Sequence, residues 1–177
     1  MKLLHTSLLL LAALPALAFA QTTDAYAVQR GDGEFTITAN GMSDRNFDNN
    51  VGGASMSVGR YFSPTLLGAF RQSVFFSNPK GAGHEIDGAS KLALDFVLAP
   101  GARVRPYVGA NFGGFYGDRI TDSWAAGLEA GLKFYRVDKT FIYLGGEYGW
   151  AFRRARGVTS NFDSGQWNWG AGVGFNY

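Results

Sequence analysis

The chain has 177 residues, no Cys, and 16 Lys+Arg against 14 Asp+Glu. That composition excludes a disulfide-stapled fold and gives no reason to propose nucleic acid as a partner. Its 15 Phe, 8 Tyr, 4 Trp and 25 Gly accompany a mean hydropathy of -0.05, which is odd for membrane-spanning helices and natural where apolar and polar residues alternate along strands.

Residues 1–20 read as a leader. Lys2 and His5 precede the apolar run Leu8–Leu14, and Ala18-Phe19-Ala20 offers a small-residue cleavage site. The run is too short to span a bilayer as a helix. The leader lacks a twin arginine, and no Cys follows it to carry a lipid anchor. Export followed by cleavage before Gln21 is the expectation.

From Gly33 onward the chain divides into eight alternating segments. Glu34–Gly41 sets Phe35, Ile37 and Ala39 against Glu34, Thr36, Thr38 and Asn40, and a polar loop Met42–Asn50 follows. Val51–Tyr61 sets Ala54, Met56 and Val58 against Ser55, Ser57 and Gly59, and Phe62-Ser63-Pro64-Thr65 turns the chain. Leu66–Phe76 sets Leu66, Phe70, Val74 and Phe76 against Arg71 and Ser73, with Gln72 out of place on the apolar face. After the loop Ser77–Asp87, Gly88–Leu98 sets Leu92, Leu94, Phe96 and Leu98 against Lys91, Ala93, Asp95 and Val97.

Ala99-Pro100-Gly101-Ala102 makes the next turn. Val104–Tyr116 then sets Val108, Ala110, Phe112 and Tyr116 against Tyr107, Gly109, Asn111 and Gly113. Beyond the loop Gly117–Asp122, Ser123–Tyr135 sets Trp124, Ala126, Leu128, Ala130, Leu132 and Phe134 against Gly127, Glu129, Gly131 and Lys133. A turn at Val137-Asp138-Lys139 leads to Thr140–Phe152, with Ile142, Leu144, Tyr148, Trp150 and Phe152 opposite Tyr143, Gly145, Glu147 and Gly149. The loop Arg153–Gly165 leads to the last segment, Trp167–Tyr177, where Trp167, Trp169, Ala171, Val173, Phe175 and Tyr177 alternate with Asn168, Gly170, Gly172, Gly174 and Asn176.

Short connections (62–65, 99–103 and 136–139) alternate with longer polar ones, the asymmetry of bacterial barrels with periplasmic turns and external loops. The fold class read from this pattern is all-β: an eight-stranded antiparallel up-and-down transmembrane β-barrel over 33–177, with 21–32 as an N-terminal periplasmic segment. Arg60, Arg103, Arg105, Arg136 and Lys139 then fall at the periplasmic rim. Period-two alternation alone also fits a water-soluble barrel with a greasy interior. Bulky aromatics at strand ends and the small size of the polar face favour the membrane orientation.

In that orientation Glu34, Arg71, Lys91, Asp95, Glu129, Lys133 and Glu147 face a narrow lumen, where charges persist only when paired. The expectation is a polar plug in which bases interleave with acids, its role structural rather than a gate for ions. The chain resembles the small outer-membrane β-barrel superfamily, of the OmpA/OmpX type. The resemblance rests on the eight hairpin strands, on Arg105-Pro106-Tyr107-Val108-Gly109-Ala110, on Gly127-Leu128-Glu129-Ala130-Gly131-Leu132-Lys133 and on Gly172-Val173-Gly174-Phe175-Asn176-Tyr177. It implies location in the cell outer membrane and a terminal strand read by the barrel-assembly machinery, with Trp169, Val173, Phe175 and Tyr177 as the signal. The peptidoglycan-binding domain that follows the barrel in OmpA is expected to be absent, since the chain ends at Tyr177.

Some barrels of this kind modify lipid A. Acyl transfer or hydrolysis wants a nucleophile beside a positioned base. Beyond the leader the sole His is His84, in a loop with Glu85 and Asp87 and near Ser77 and Ser90. That pattern reads as solvated surface, so no enzyme activity, cofactor or metal site is expected. Arg153, Arg154 and Arg156 cluster at the outer end of the seventh strand, where lipopolysaccharide phosphates lie, and Arg suits bidentate phosphate contact. The functional expectation is a monomeric envelope-integrity or surface-interaction protein with a largely closed lumen, in contact with outer-membrane lipid and lipopolysaccharide. The alternatives are an adhesin or host-binding barrel acting through its loops, for which Asn161-Phe162-Asp163 is an exposed-aromatic candidate, and a small ion-conducting pore.

Overall fold

A computed structural model describes residues 27–44, 50–77, 85–117, 123–152 and 165–177. They form β1 (Gly33–Asp44), β2 (Asn50–Ser63), β3 (Leu66–Ser77), β4 (Glu85–Val97), β5 (Val104–Gly117), β6 (Ser123–Val137), β7 (Thr140–Ala151) and β8 (Gln166–Asn176). Each strand pairs antiparallel with the next, and β8 returns to β1, closing the barrel. Tyr177 completes the seam: its N–H donates to the Gly33 carbonyl at 3.0 Å, and the Gly33 N–H donates to the Tyr177 carbonyl at 2.8 Å.

The register sets the size of the interior. Paired residues lead once around the barrel from Gly33 through Arg60, Gly68, Leu94, Ala110, Leu128, Tyr148 and Trp167 to Ser43, an advance of ten residues in eight strands. With a rise of about 3.3 Å per residue and a strand spacing of about 4.8 Å, this shear tilts the strands by roughly 40° and gives a backbone radius of roughly 8 Å. Such a lumen holds side chains and little more. A 12-residue strand such as β1 or β3 at that tilt rises roughly 30 Å, the thickness of the hydrocarbon core.

The strands overrun the expected bounds by up to three residues, mostly at the loop-facing ends. β1 continues through Met42, Ser43 and Asp44, and β4 begins at Glu85. Alternation marks only the stretch where one face meets lipid, whereas ladder hydrogen bonds continue for as long as a partner strand is present: Met42 and Ser43 still pair with Asn168 and Trp167. At the opposite end β4 stops at Val97, and Leu98 lies in the turn, its N–H bonded to the Pro106 carbonyl at 2.7 Å. β7 stops at Ala151, one residue before Phe152, and β8 spans Gln166–Asn176.

The apolar faces point outward. Leu92, Leu128, Trp124, Ile142, Val173 and Phe62 are all more than half exposed, while Lys133, Glu34 and Glu129 are buried. A continuous apolar belt around a charged interior belongs in lipid, where burying the charges inward avoids about 2–4 kcal/mol per Arg or Lys at the midplane. Outward glycines are covered by neighbouring rings: Tyr177 lies over Gly33, Trp169 over Gly41, Phe62 over Gly68 and Tyr116 over Gly88. These rings fill the gaps that side-chain-free positions leave in the apolar surface.

Candidate functional site

The lumen has three layers. At the end of the short turns, Val28, Tyr61, Leu67, Val97 and Tyr107 form a buried cluster, with Tyr143 packed against it. Val28 belongs to the expected periplasmic segment. That segment is tied to the barrel, because the Gly31 N–H donates to the Tyr61 carbonyl at 2.8 Å and the Tyr61 N–H donates to the Asp32 carbonyl at 2.9 Å. At the loop-facing end Met42, Val51, Phe75, Ala89, Phe115 and Ala125 form a second apolar cluster.

The charges lie between the two clusters. Arg71 on β3 reaches across the lumen to Glu129 on β6 through a fork, with Nη1 and Nη2 each 3.0 Å from a carboxylate oxygen. Lys133 on β6 donates to both oxygens of Glu34 on β1 at 2.7 Å. Lys91 on β4 pairs with Glu147 on β7. None of these partners sits on an adjacent strand, so each pair is a strut across the barrel, drier and stronger than a surface ion pair.

Neutral groups complete the layer. The Tyr61 hydroxyl donates to Glu34 at 2.8 Å, and the Asn111 amide donates to Glu129. Asp95 is buried in the same layer, beside the Arg71–Glu129 pair and in contact with Glu129, and its Oδ1 has no hydrogen-bond partner. A cavity of about 60 Å³ runs past it, lined on the other wall by Thr36, Thr38, Ser55 and Ser57. That volume holds about four waters, and the orphan amides of Asn40 and Asn168 border it.

Two placements depart from the expected ones. Arg105 lies beside the turn 99–103 but is not exposed there. It is fully buried, its guanidinium carbon 3.5 Å from the Tyr135 ring centroid and its Nε donating to the Ala102 carbonyl at 2.8 Å. Its parity with Tyr107, Gly109 and Asn111 marked it as inward-facing, and that parity was the signal to read. The remaining rim cations Arg60, Arg103, Arg136 and Lys139 are exposed.

Gln72, the polar residue on the lipid face, belongs to a closed ring. Ser90 Oγ donates to Gln72 Oε1 at 2.6 Å, Gln72 Nε2 donates to the Tyr116 hydroxyl at 2.6 Å, and the Tyr116 and Ser90 hydroxyls are 3.0 Å apart. Each group meets another's need, so three polar side chains face hydrocarbon together.

Trp169, Val173, Phe175 and Tyr177 all point outward, and the Phe175 ring centroid lies 5.5 Å from that of Phe35 across the seam. Arg153, Arg154, Arg156, His84 and Asn161–Asp163 lie outside the described residues. Of the residues weighed with His84, Ser90 is engaged in the outward ring and Asp87 is buried on the lumen side.

A closed antiparallel barrel of eight strands with an apolar exterior and a charged interior is the fold of the small outer-membrane barrels. No family model and no curated relative matches the sequence. Solved structures match the fold. Neisserial surface protein A superimposes with a TM-score of 0.65 at 12% identity, over 82% of this chain and 96% of that one. The outer-membrane protein OprG of Pseudomonas aeruginosa gives a TM-score of 0.58 at 10% identity, covering 87% of this chain and 99% of that one. The N-terminal β-barrel domain of Pseudomonas aeruginosa OprF gives 0.56 at 20% identity, covering 85% and 100%.

Proposed function

We propose that the protein is a monomeric outer-membrane barrel with a structural role in the envelope, its lumen closed to ions. The observation that carries this reading is the set of three cross-barrel ion pairs in the lumen, with a cluster of buried apolar residues on either side of them. An ion crossing it would have to break a strut and pass both clusters, each step unfavourable in a low-dielectric space. Its partners are outer-membrane lipid, lipopolysaccharide and the assembly machinery that reads the terminal strand.

Planar-bilayer recordings of the purified protein test the closed lumen. The expected record lacks stable conductance. A large, steady conductance that charge swaps at Arg71, Lys91 or Lys133 abolish would establish a pore instead.

Arg153, Arg154 and Arg156 are proposed as the contact to lipopolysaccharide phosphate, since Arg offers a planar fork to such groups. Changing all three to Gln should lower barrel stability in lipopolysaccharide-containing bilayers and leave it unchanged in phosphatidylcholine. Equal stability in both bilayers would remove lipopolysaccharide contact from the account.

A further inference from the structure

The outward surface of β2, β3 and β4 carries a groove of about 700 Å³ near the end of the short turns. Its floor is apolar: Val58 from β2, Phe70 from β3, and Leu92 and Leu94 from β4. Two aromatic rings form its sides at the rim. Tyr177 lies over Gly33, and Phe62 lies over Gly68. Phe62 is the extra residue of a β-bulge, because Tyr61 pairs with Leu67 and Ser63 with Leu66.

Arg60 stands at the mouth of the groove. Its parity with Val58 and Phe62 points it outward, and it is exposed. Among the described residues its side chain makes no hydrogen bond or ion pair, while its backbone stays in the ladder with β1 and β3. Its Nη2 lies 3.9 Å from where a Cβ on Gly31 would sit, and Gly31 holds a φ of +97°, a conformation that favours glycine. The backbone there leaves the guanidinium room. An outward Arg flanked by two aromatic rings at a membrane–water boundary seeks an anion at headgroup level.

We propose that this groove is a phospholipid site, with one acyl chain along Val58, Phe70, Leu92 and Leu94 and the phosphate held by Arg60. A phosphate diester offers two oxygens to the guanidinium fork, and the apolar floor continues toward the bilayer centre as a chain does. The site lies in the leaflet at the end of the short turns, which is the periplasmic leaflet. This placement rests on the outer-membrane reading.

Native mass spectrometry of the full chain, titrated with phosphatidylglycerol, tests the site. Arg60→Gln should weaken the tightest bound lipid about tenfold, and Arg60→Lys, which keeps charge without the fork, should weaken it less. Arg103→Gln, another exposed cation in a turn at the same end, should leave it unchanged. Equal binding by wild type and Arg60→Gln, or equal weakening by Arg60→Gln and Arg103→Gln, would overturn the site. Preference for lipid A over phosphatidylglycerol at Arg60 would overturn its assignment to a phospholipid. Heat-dependent mobility on an SDS gel, run on every variant, separates the two readings: a barrel that keeps the shift and shows no Arg60 dependence rejects the lipid site alone.

Discussion

Cutting the Arg71–Glu129 strut should destabilise the barrel by about 3 kcal/mol. The pair makes two 3.0 Å hydrogen bonds, with the Glu129 side chain 3% exposed and that of Arg71 17% exposed. Removing one partner leaves the other charge buried and uncompensated, at about 3–5 kcal/mol, and the partial exposure of Arg71 places Glu129→Gln near the lower value. At 1.4 kcal/mol per decade, 3 kcal/mol shifts the folding equilibrium about 100-fold. Arg71→Met should cost a similar amount.

The double variant Arg71→Met with Glu129→Leu removes both charges and should be more stable than either single variant, its residual cost set by the Asn111 amide that loses its acceptor. Reversible urea unfolding in phosphatidylcholine vesicles, followed by tryptophan fluorescence, measures all three. Single costs below about 1 kcal/mol that add in the double variant would refute the strut as a coupled buried pair.

Three further outcomes follow from other contacts. Ser90→Ala opens the outward ring, leaves Gln72 short of a partner in lipid, and should cost about 1–2 kcal/mol by the same unfolding assay; Gln72→Leu with Ser90→Ala should recover most of it. A Cβ on Gly113 would collide with the Ser90 carbonyl oxygen and lie 2.6 Å from the Lys91 Cα, both backbone atoms, so Gly113→Ala should sharply reduce the heat-shifted species on a gel. Gly52→Ala meets nothing within 4 Å and should leave it unchanged. Arg105→Ala removes the cation stacked on Tyr135 and should lower stability by about 1–2 kcal/mol, whereas Arg103→Ala, exposed in its turn, should change it by less than about 0.5 kcal/mol.

The membrane-facing pattern was open to reading because a lipid-exposed strand must alternate, and Leu92, Leu94 and Phe96 against Lys91, Ala93 and Asp95 can be sorted by counting. The partners of those charges could not be read the same way. Lys133 meets Glu34 across 99 residues of chain, and that meeting depends on a register of ten residues per circuit that no single strand carries. Val28 packs against Tyr61, Leu67, Val97 and Tyr107 from a segment with no periodicity to reveal it. Gln72 broke the rule of its strand because its donor sits on β4 and its acceptor on β5.

Accessibility of single cysteines in bilayers tests the account most directly, since the natural chain has none to remove. Nitroxide labels at the outward positions Leu94, Leu128 and Val173 should collide freely with oxygen and be sheltered from a water-soluble nickel complex. Labels at the inward positions Thr36 and Ser57 should be immobile and sheltered from both. Nickel access at the outward sites would contradict the lipid-facing exterior, and free nickel access at the inward sites would contradict the closed lumen.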